Sequence, residues 1–228
     1  MSSRGQQDFA RLPSFAARFY RSLTRAGGIE RQHREIAQDL ASRIESGKLL
    51  DVGCGPGQLL FEIGRIHPLI ELFGIDISEA MVTLARERLD DTSAEIRHGE
   101  IARSGYPDNF FDLVTCTGSF YLWDHPRKCI DEIFRILRPG CAALLFESYR
   151  DCDRTALGEA VRANLSGEPL IRRLLAPRFF LKQLGMTYST DEFVGIFEPT
   201  KFARSYLIER IRLAGVPAWL RITLSKQA

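Results

Sequence analysis

Leu49-Leu50-Asp51-Val52-Gly53-Cys54-Gly55-Pro56-Gly57-Gln58 is the stretch on which the reading of this chain turns. An apolar run of strand character enters a turn with glycine at 53, 55 and 57, then leaves it into a helix over residues 58–66. Glycine suits such a turn because it tolerates φ > 0 and lets the backbone approach a ligand without a Cβ in the way. In open α/β sheets the space beyond the carboxyl end of a strand is where ligands bind. The next strand runs through Gly74-Ile75 into Asp76, whose carboxylate can accept hydrogen bonds from both hydroxyls of an adenosine ribose. A dinucleotide fingerprint, G-x-G-x-x-G counted from Gly53, would need glycine at position 58, and Gln58 stands there.

Outward from this stretch the pattern is strand–helix alternation. Strands are expected at 49–52, 69–75, 94–98, 111–117 and 141–147. Helices lie between them: 58–66, a segment capped by Ser78 that runs to about 89, and 127–137, the last stopped by Pro139-Gly140. Parallel strands joined by covering helices predict an α/β fold, a doubly wound and mostly parallel sheet. Upstream, helices are expected over 9–26 and 29–46, separated by Gly27-Gly28; Ile29, His33, Ile36, Ala37, Leu40 and Ile44 share one face of the second. Downstream, helices are expected over 155–165, 170–184 and 191–197, the middle one interrupted at Pro177. Strands at 203–213 and 218–225 then close on each other as a hairpin, making a seven-stranded sheet with an antiparallel edge. The expected organisation is an N-terminal helical cap over 1–46 and a binding domain over 47–228 with a helical insertion at about 150–186.

Composition narrows the function classes. With 45% hydrophobic and 26% charged residues the chain reads as an ordinary globular protein, not a disordered or fibrous one. Its net charge of +2 is too small to mark a nucleic-acid binder. No apolar run has the length of an integral membrane segment, and the polar start lacks a signal core, so the cytoplasm is the expected compartment. Cys54, Cys116, Cys129, Cys141 and Cys152 show no C-x-x-C spacing, and the histidines are scattered; no structural metal is expected.

The run from Leu49 to Gly57, with Asp76 after it, closely resembles the first motif and the ribose-binding acid of the class I S-adenosylmethionine (SAM)-dependent methyltransferases. The likeness continues through Gly99-Glu100-Ile101, the segment 106–114, and Arg135-Ile136-Leu137-Arg138-Pro139-Gly140 before the fifth strand. Within the class it is similar to the branch of quinone-biosynthesis and other small-molecule methyltransferases. The resemblance implies SAM as cofactor, bound by Asp51, Gly53, Cys54, Gly55, Gly57, Asp76, Ile77, Met81, Glu100, Ile101, Thr117 and Tyr121. Two positions depart from the family: Glu100 stands where the adenine-contacting acid is usually aspartate, and Cys141 replaces a glycine.

The implied reaction is methyl transfer to a small-molecule acceptor by in-line displacement. The segment from Thr117 to Trp123, at the methyl-facing position, lacks the Asn/Asp-Pro-Pro-aromatic signature of nucleic-acid adenine methyltransferases, so no nucleic-acid substrate is expected. Tyr20, where relatives often carry a cofactor-closing tyrosine, and His125, the imidazole nearest the loop, are the candidate bases. Both expected caps contribute aromatics and arginines, among them Phe15, Phe19, Arg154, Arg172, Phe179 and Phe180. These suit an acceptor with an apolar or ring-shaped body and an anionic group. Two rivals stand beside this reading: an NAD(P)-linked oxidoreductase on a similar sheet, and a SAM-binding protein without turnover. Gln58 and the terminal hairpin speak against the first, and an intact loop with Asp76 against the second.

Overall fold

The computed structural model describes residues 27–165, 181 and 183–228. The helix expected over 9–26 and most of that over 170–184 lie outside the described residues, and so do Phe15, Phe19, Tyr20, Arg172, Phe179 and Phe180.

Helix α1 (Gly27–Ala41) leads into β1 (Gly47–Val52), α2 (Gln58–Ile66), β2 (Ile70–Asp76), α3 (Glu79–Arg88), β3 (Glu95–His98) and β4 (Phe111–Thr117). Then come α4 (Pro126–Ile136), β5 (Leu137–Ser148), α5 (Arg154–Asn164), α6 (Thr190–Phe197), β6 (Tyr206–Leu213) and β7 (Val216–Ser225). The seven strands form one sheet in the order β3-β2-β1-β4-β5-β7-β6. The first five are parallel, and β7 runs antiparallel to β5 and to β6, as expected of a doubly wound sheet with a terminal hairpin. Strand order reverses between β1 and β4, the place where an open sheet leaves a crevice beyond its carboxyl ends.

Both faces of the central strands are covered, so their sequences are continuous apolar runs instead of alternating ones. Leu49 and Leu50 on β1, Val114 and Cys116 on β4, and Ala143 to Phe146 on β5 are all buried. Each large side chain buried this way contributes about 1.5–3 kcal/mol. On α1 the residues Ile36, Ala37 and Leu40 turn inward, and the helix packs on α2.

Three local expectations need correction. Gly27 and Gly28 lie within α1, which stops at Ala41, five residues early, while Ile44 is buried beyond its end. Pro139-Gly140 is not the helix stop. Helix α4 ends at Ile136, and β5 already pairs at Leu137, opposite Phe111, with an irregularity before Leu113. Gly140 supplies the bend at φ 77° and donates its N–H to the Lys226 carbonyl at 2.8 Å, while Lys226 Nζ caps the Phe134 and Leu137 carbonyls at 2.8 and 2.7 Å. Ser78 occupies the N-cap position of α3 but makes no side-chain cap: its hydroxyl is buried without a hydrogen-bond partner among the described residues.

The hairpin is tighter than the sequence suggested. Its turn is Ala214-Gly215, with φ 49° and 78°, the two positive values a two-residue primed turn requires. Alanine tolerates that conformation poorly, and three side chains hold it. Glu35 accepts from the Ala214 N–H at 2.6 Å, and Arg31 and Asn164 donate to its carbonyl at 2.8 and 3.0 Å. Thus α1, α5 and the hairpin meet at one residue.

Candidate active site: a cleft at the switch point

Beyond the carboxyl ends of β1, β2 and β4 lies a cleft of about 940 Å³, including the space open to solvent. Its floor is the glycine turn. A Cβ on Gly53, at φ 71°, would come within 2.2 Å of Ser119 Oγ, so the turn can close on the loop after β4 only with glycine there. Gly55, at φ 51°, has nothing within 4 Å of where its Cβ would be: it faces open space and leaves a cradle a side chain would fill. Gly57 does something else. Its missing side chain lets α3 and the residue after it approach, with Ala85 and Leu89 atoms 3.2 Å from where a Cβ would be, and it does not line the cleft.

Asp76 ends β2 and is 5% exposed. One carboxylate oxygen accepts from the Gly55 N–H and the other from the Ser78 N–H, both at 2.8 Å. The acid therefore fixes the glycine turn and the start of α3 while each oxygen keeps a lone pair for a ligand hydroxyl. Burial raises its carboxyl above the usual range, and the two amides and His98 pull it back. Beneath it Asp51, 2% exposed, is pushed up to about 8 by burial and by the neighbouring Asp76 charge. Asp51 Oδ1 is buried with no hydrogen-bond partner among the described residues, as is Thr117 Oγ1.

The structure brings together most of the residues the sequence singled out. Gly53, Cys54, Gly55, Asp76, Ile77, Met81, Glu100, Ile101, Thr117 and Tyr121 all line the cleft, whereas Asp51 and Gly57 stand behind it. Burial pushes the Cys54 thiol well up, which makes it a packed small residue of the turn and no nucleophile. Tyr121 OH accepts from Gln183 Nε2 at 3.2 Å, linking the cleft wall to the insertion. His125 is exposed, immediately before α4, and does not line the cleft; Tyr20 lies outside the described residues.

Sequence reasoning missed His33, Gln58, Ser119 and Trp123, which line the cleft as well. His33 was assigned to the inward face of its helix, and that face ends at the cleft. Its Nδ1 bonds the Ile29 carbonyl at 2.9 Å, and burial lowers its pKa, so the ring is neutral near pH 7 with Nε2 as acceptor. Gln58, the residue that ruled out a dinucleotide fingerprint, donates to Glu62 at 2.8 Å and accepts from Arg88.

Comparison with known proteins bears on the same residues. A family model described as a methyltransferase domain matches residues 50–145, from the strand before the glycine turn to the end of β5. An uncharacterised methyltransferase, YdaC, of Bacillus subtilis is 32% identical over 105 residues, covering 46% of this chain and 58% of its own. A demethylmenaquinone methyltransferase of Deinococcus radiodurans is 32% identical over 122 residues, covering 53% of this chain and 51% of its own. This chain thus spans about half the length of the curated relatives it matches. Among solved structures, the plantazolicin methyltransferase BpumL in complex with S-adenosylhomocysteine (SAH) superposes with a TM-score of 0.71 at 16% identity, covering 99% of this chain and 95% of that one, a likeness of fold. Its motifs, its sheet order and these matches agree: over residues 50–145 the chain is similar to the methyltransferase domain, and its fold is that of S-adenosylmethionine-dependent methyltransferases.

Proposed function

We propose that the protein is a cytoplasmic enzyme that transfers the methyl group of SAM to a small-molecule acceptor by in-line displacement. The observation that carries this reading is Asp76: a buried carboxylate at the end of β2, tied to the Gly55 amide, facing a cleft whose glycine floor is open. The residues fit the donor. Asp76 would hold the ribose hydroxyls, Gly53 and Gly55 the amino-acid tail, and Ile77, Met81, Glu100 and Ile101 the adenine. Thr117 and Tyr121 would wall the methyl-facing side. When bound, SAM supplies a methyl group on a sulfonium whose leaving thioether is neutral. The chain's own task is to align an acceptor at near-attack distance and keep water out.

A base is needed only if the acceptor must lose a proton. Between the histidines, His33 takes precedence over His125, because it lines the cleft with an accepting nitrogen. Tyr20 remains the candidate from the cap. Residues 1–46 and the insertion at about 150–186 would cover the acceptor; the Gln183–Tyr121 bond and the meeting of α1 with α5 support that arrangement. A ring-bearing acceptor agrees with the aromatic wall of Tyr121 and Trp123 and with a relative named for demethylmenaquinone. The loop after β4 offers no signature for a base of nucleic acid.

A thermal-shift titration tests the donor. Ligand bound only to the native state adds about 2.7 kcal/mol at a hundredfold excess over Kd. SAM and SAH should raise the melting temperature and NAD(P)H should not; the reverse result overturns the reading. Turnover on ring-bearing acceptors, against none on RNA or DNA, tests the second half.

A further inference from the structure

We infer that Glu147 is a positioning residue: its buried carboxylate sets the loop over 117–122 that walls the donor cleft, and couples that loop's hold to pH. The inference rests on the function proposed above. Glu147 sits near the end of β5 and is 1% exposed. Its Oε1 accepts from the Ser119 and Phe120 amides, both at 3.0 Å, and from the Cys116 thiol at 3.4 Å. Ser119 carries the hold onward. Its hydroxyl donates to the Val52 carbonyl at 3.1 Å and fills the space that Gly53 leaves by lacking a Cβ. One carboxylate therefore ties β5 to the loop, and through Ser119 ties the loop to the glycine turn. Thr117, Gly118, Ser119, Tyr121 and Leu122 of that loop all line the cleft.

A buried carboxylate is an expensive way to satisfy two amides, since taking an ion out of water costs several kcal/mol. What it gains is strength while ionised, because hydrogen bonds to a charged oxygen are about twice as strong as neutral ones. Burial pushes the Glu147 carboxyl up to about 7, against the pull of its amide and thiol donors. Among the described residues, the titratable groups facing it are the Cys116 thiol from β4 and the Tyr188 phenol from the segment leading into α6, both raised by burial. Its cross-strand partner on β7, Leu220, is apolar. The carboxyl stays buried whether or not the loop is held, and the same buried acid without these donors would be raised further still; protonation below the midpoint therefore favours release of the amides, and the wall of the cleft loosens.

The chain's two tryptophans flank this loop and report on it. The Trp123 ring lies 4.6 Å from that of Phe120, and the Trp219 ring comes within 3.9 Å of where a Cβ on Gly118 would be. The experiment follows tryptophan fluorescence and SAH affinity from pH 5.5 to 8.5 in the wild type and in Glu147→Gln, which keeps the size and one amide-accepting oxygen but cannot ionise. The wild type should show a fluorescence transition centred near 7 that E147Q lacks. Its SAH affinity should be about 3–10-fold weaker at the acid end, beyond any change E147Q shows. An identical transition in E147Q would assign it to Asp51, Asp76 or His33, which both proteins keep, and would overturn the inference, as would a flat wild-type profile. If SAH fails to bind at any pH while the fluorescence difference persists, the proposed function fails and the loop's coupling to Glu147 stands. Should E147Q not fold, Ser119→Ala decides: weaker SAH binding with the wild-type transition unmoved supports the relay, and unchanged affinity refutes it.

Discussion

The two halves of the cleft are built by different means. On the donor side, over β1, β2 and β3, the functional groups are backbone amides and a carboxylate that ends a strand, placed by spacing along one contiguous stretch of chain. On the side proposed for the acceptor, over β4 and β5, the groups come from segments far apart in sequence. Glu147 reaches back to Ser119 and Gln183 to Tyr121. The donor ligand is the same for a whole family, so its site can be written into a local motif. A site for the proposed acceptor would instead be written into tertiary contacts that no short motif records.

The sharpest break in that contrast is Asp76→Ala. Hydrogen bonds to a charged group contribute roughly 1.5–3 kcal/mol each, so losing a carboxylate proposed to hold two hydroxyls should weaken SAM binding by about two to four decades. Calorimetry on a folded variant with near-normal affinity would move the ribose elsewhere. Gly53→Ala comes next and acts on the fold. A side chain at φ 71° costs about 1–2 kcal/mol, and displacing Ser119 from the Val52 carbonyl adds about 1 kcal/mol. Chemical denaturation should therefore show a loss of about 2–3 kcal/mol, whereas Gly55→Ala, pointing into open space, should lose less stability and more SAH affinity.

A pH experiment sharpens the donor side. Asp51 prefers to be protonated in the fold, with its carboxyl raised to about 8 by burial and by Asp76. The fold binds that proton more tightly than the unfolded chain does, so its contribution is complete below the ordinary carboxylate range and is lost as pH rises through about 8. Melting temperatures at pH 5 and pH 8 should fall further apart in the wild type than in Asp51→Asn, at about 2–4 °C per kcal/mol in a domain of this size. The smallest effect belongs to the acceptor side. Gln183→Ala should leave SAH affinity within about twofold and raise the acceptor KM about 2–10-fold, the worth of one neutral hydrogen bond.

What could be read in the sequence follows the same division. The glycine turn, Asp76, the five parallel strands and the hairpin are local patterns of period or spacing, and they were legible. The start of β5 was not, because Leu137 becomes strand by pairing with Phe111 and by the support of Lys226, contacts that helical periodicity cannot see. His33 looked like one more position on an inward helix face; only the placement of α1 over the glycine turn turns that face into a cleft wall. Glu147 ended an apolar strand and carried no signal at all, since its partners lie on the loop after the preceding strand. Ser78 misled in the opposite direction: it does stand at the N-cap position, but what is used there is its own backbone N–H, donated to Asp76, and its hydroxyl caps nothing among the described residues.

The sheet order also sets a timetable. β7 lies between β5 and β6, so during synthesis β5 waits with one edge unpaired until the residues up to Ser225 have left the ribosome. That waiting edge carries Ala143-Leu144-Leu145-Phe146, an uncharged apolar run of the kind that pairs with other chains when left open. The segment meanwhile emerging, between β5 and β6, holds α5 and α6, which can shield the run only in part. Slow translation between residues 148 and 225 should therefore cost soluble yield more than equal slowing before β5, and a ribosome-bound chain stopped short of β7 should be the species that chaperones hold.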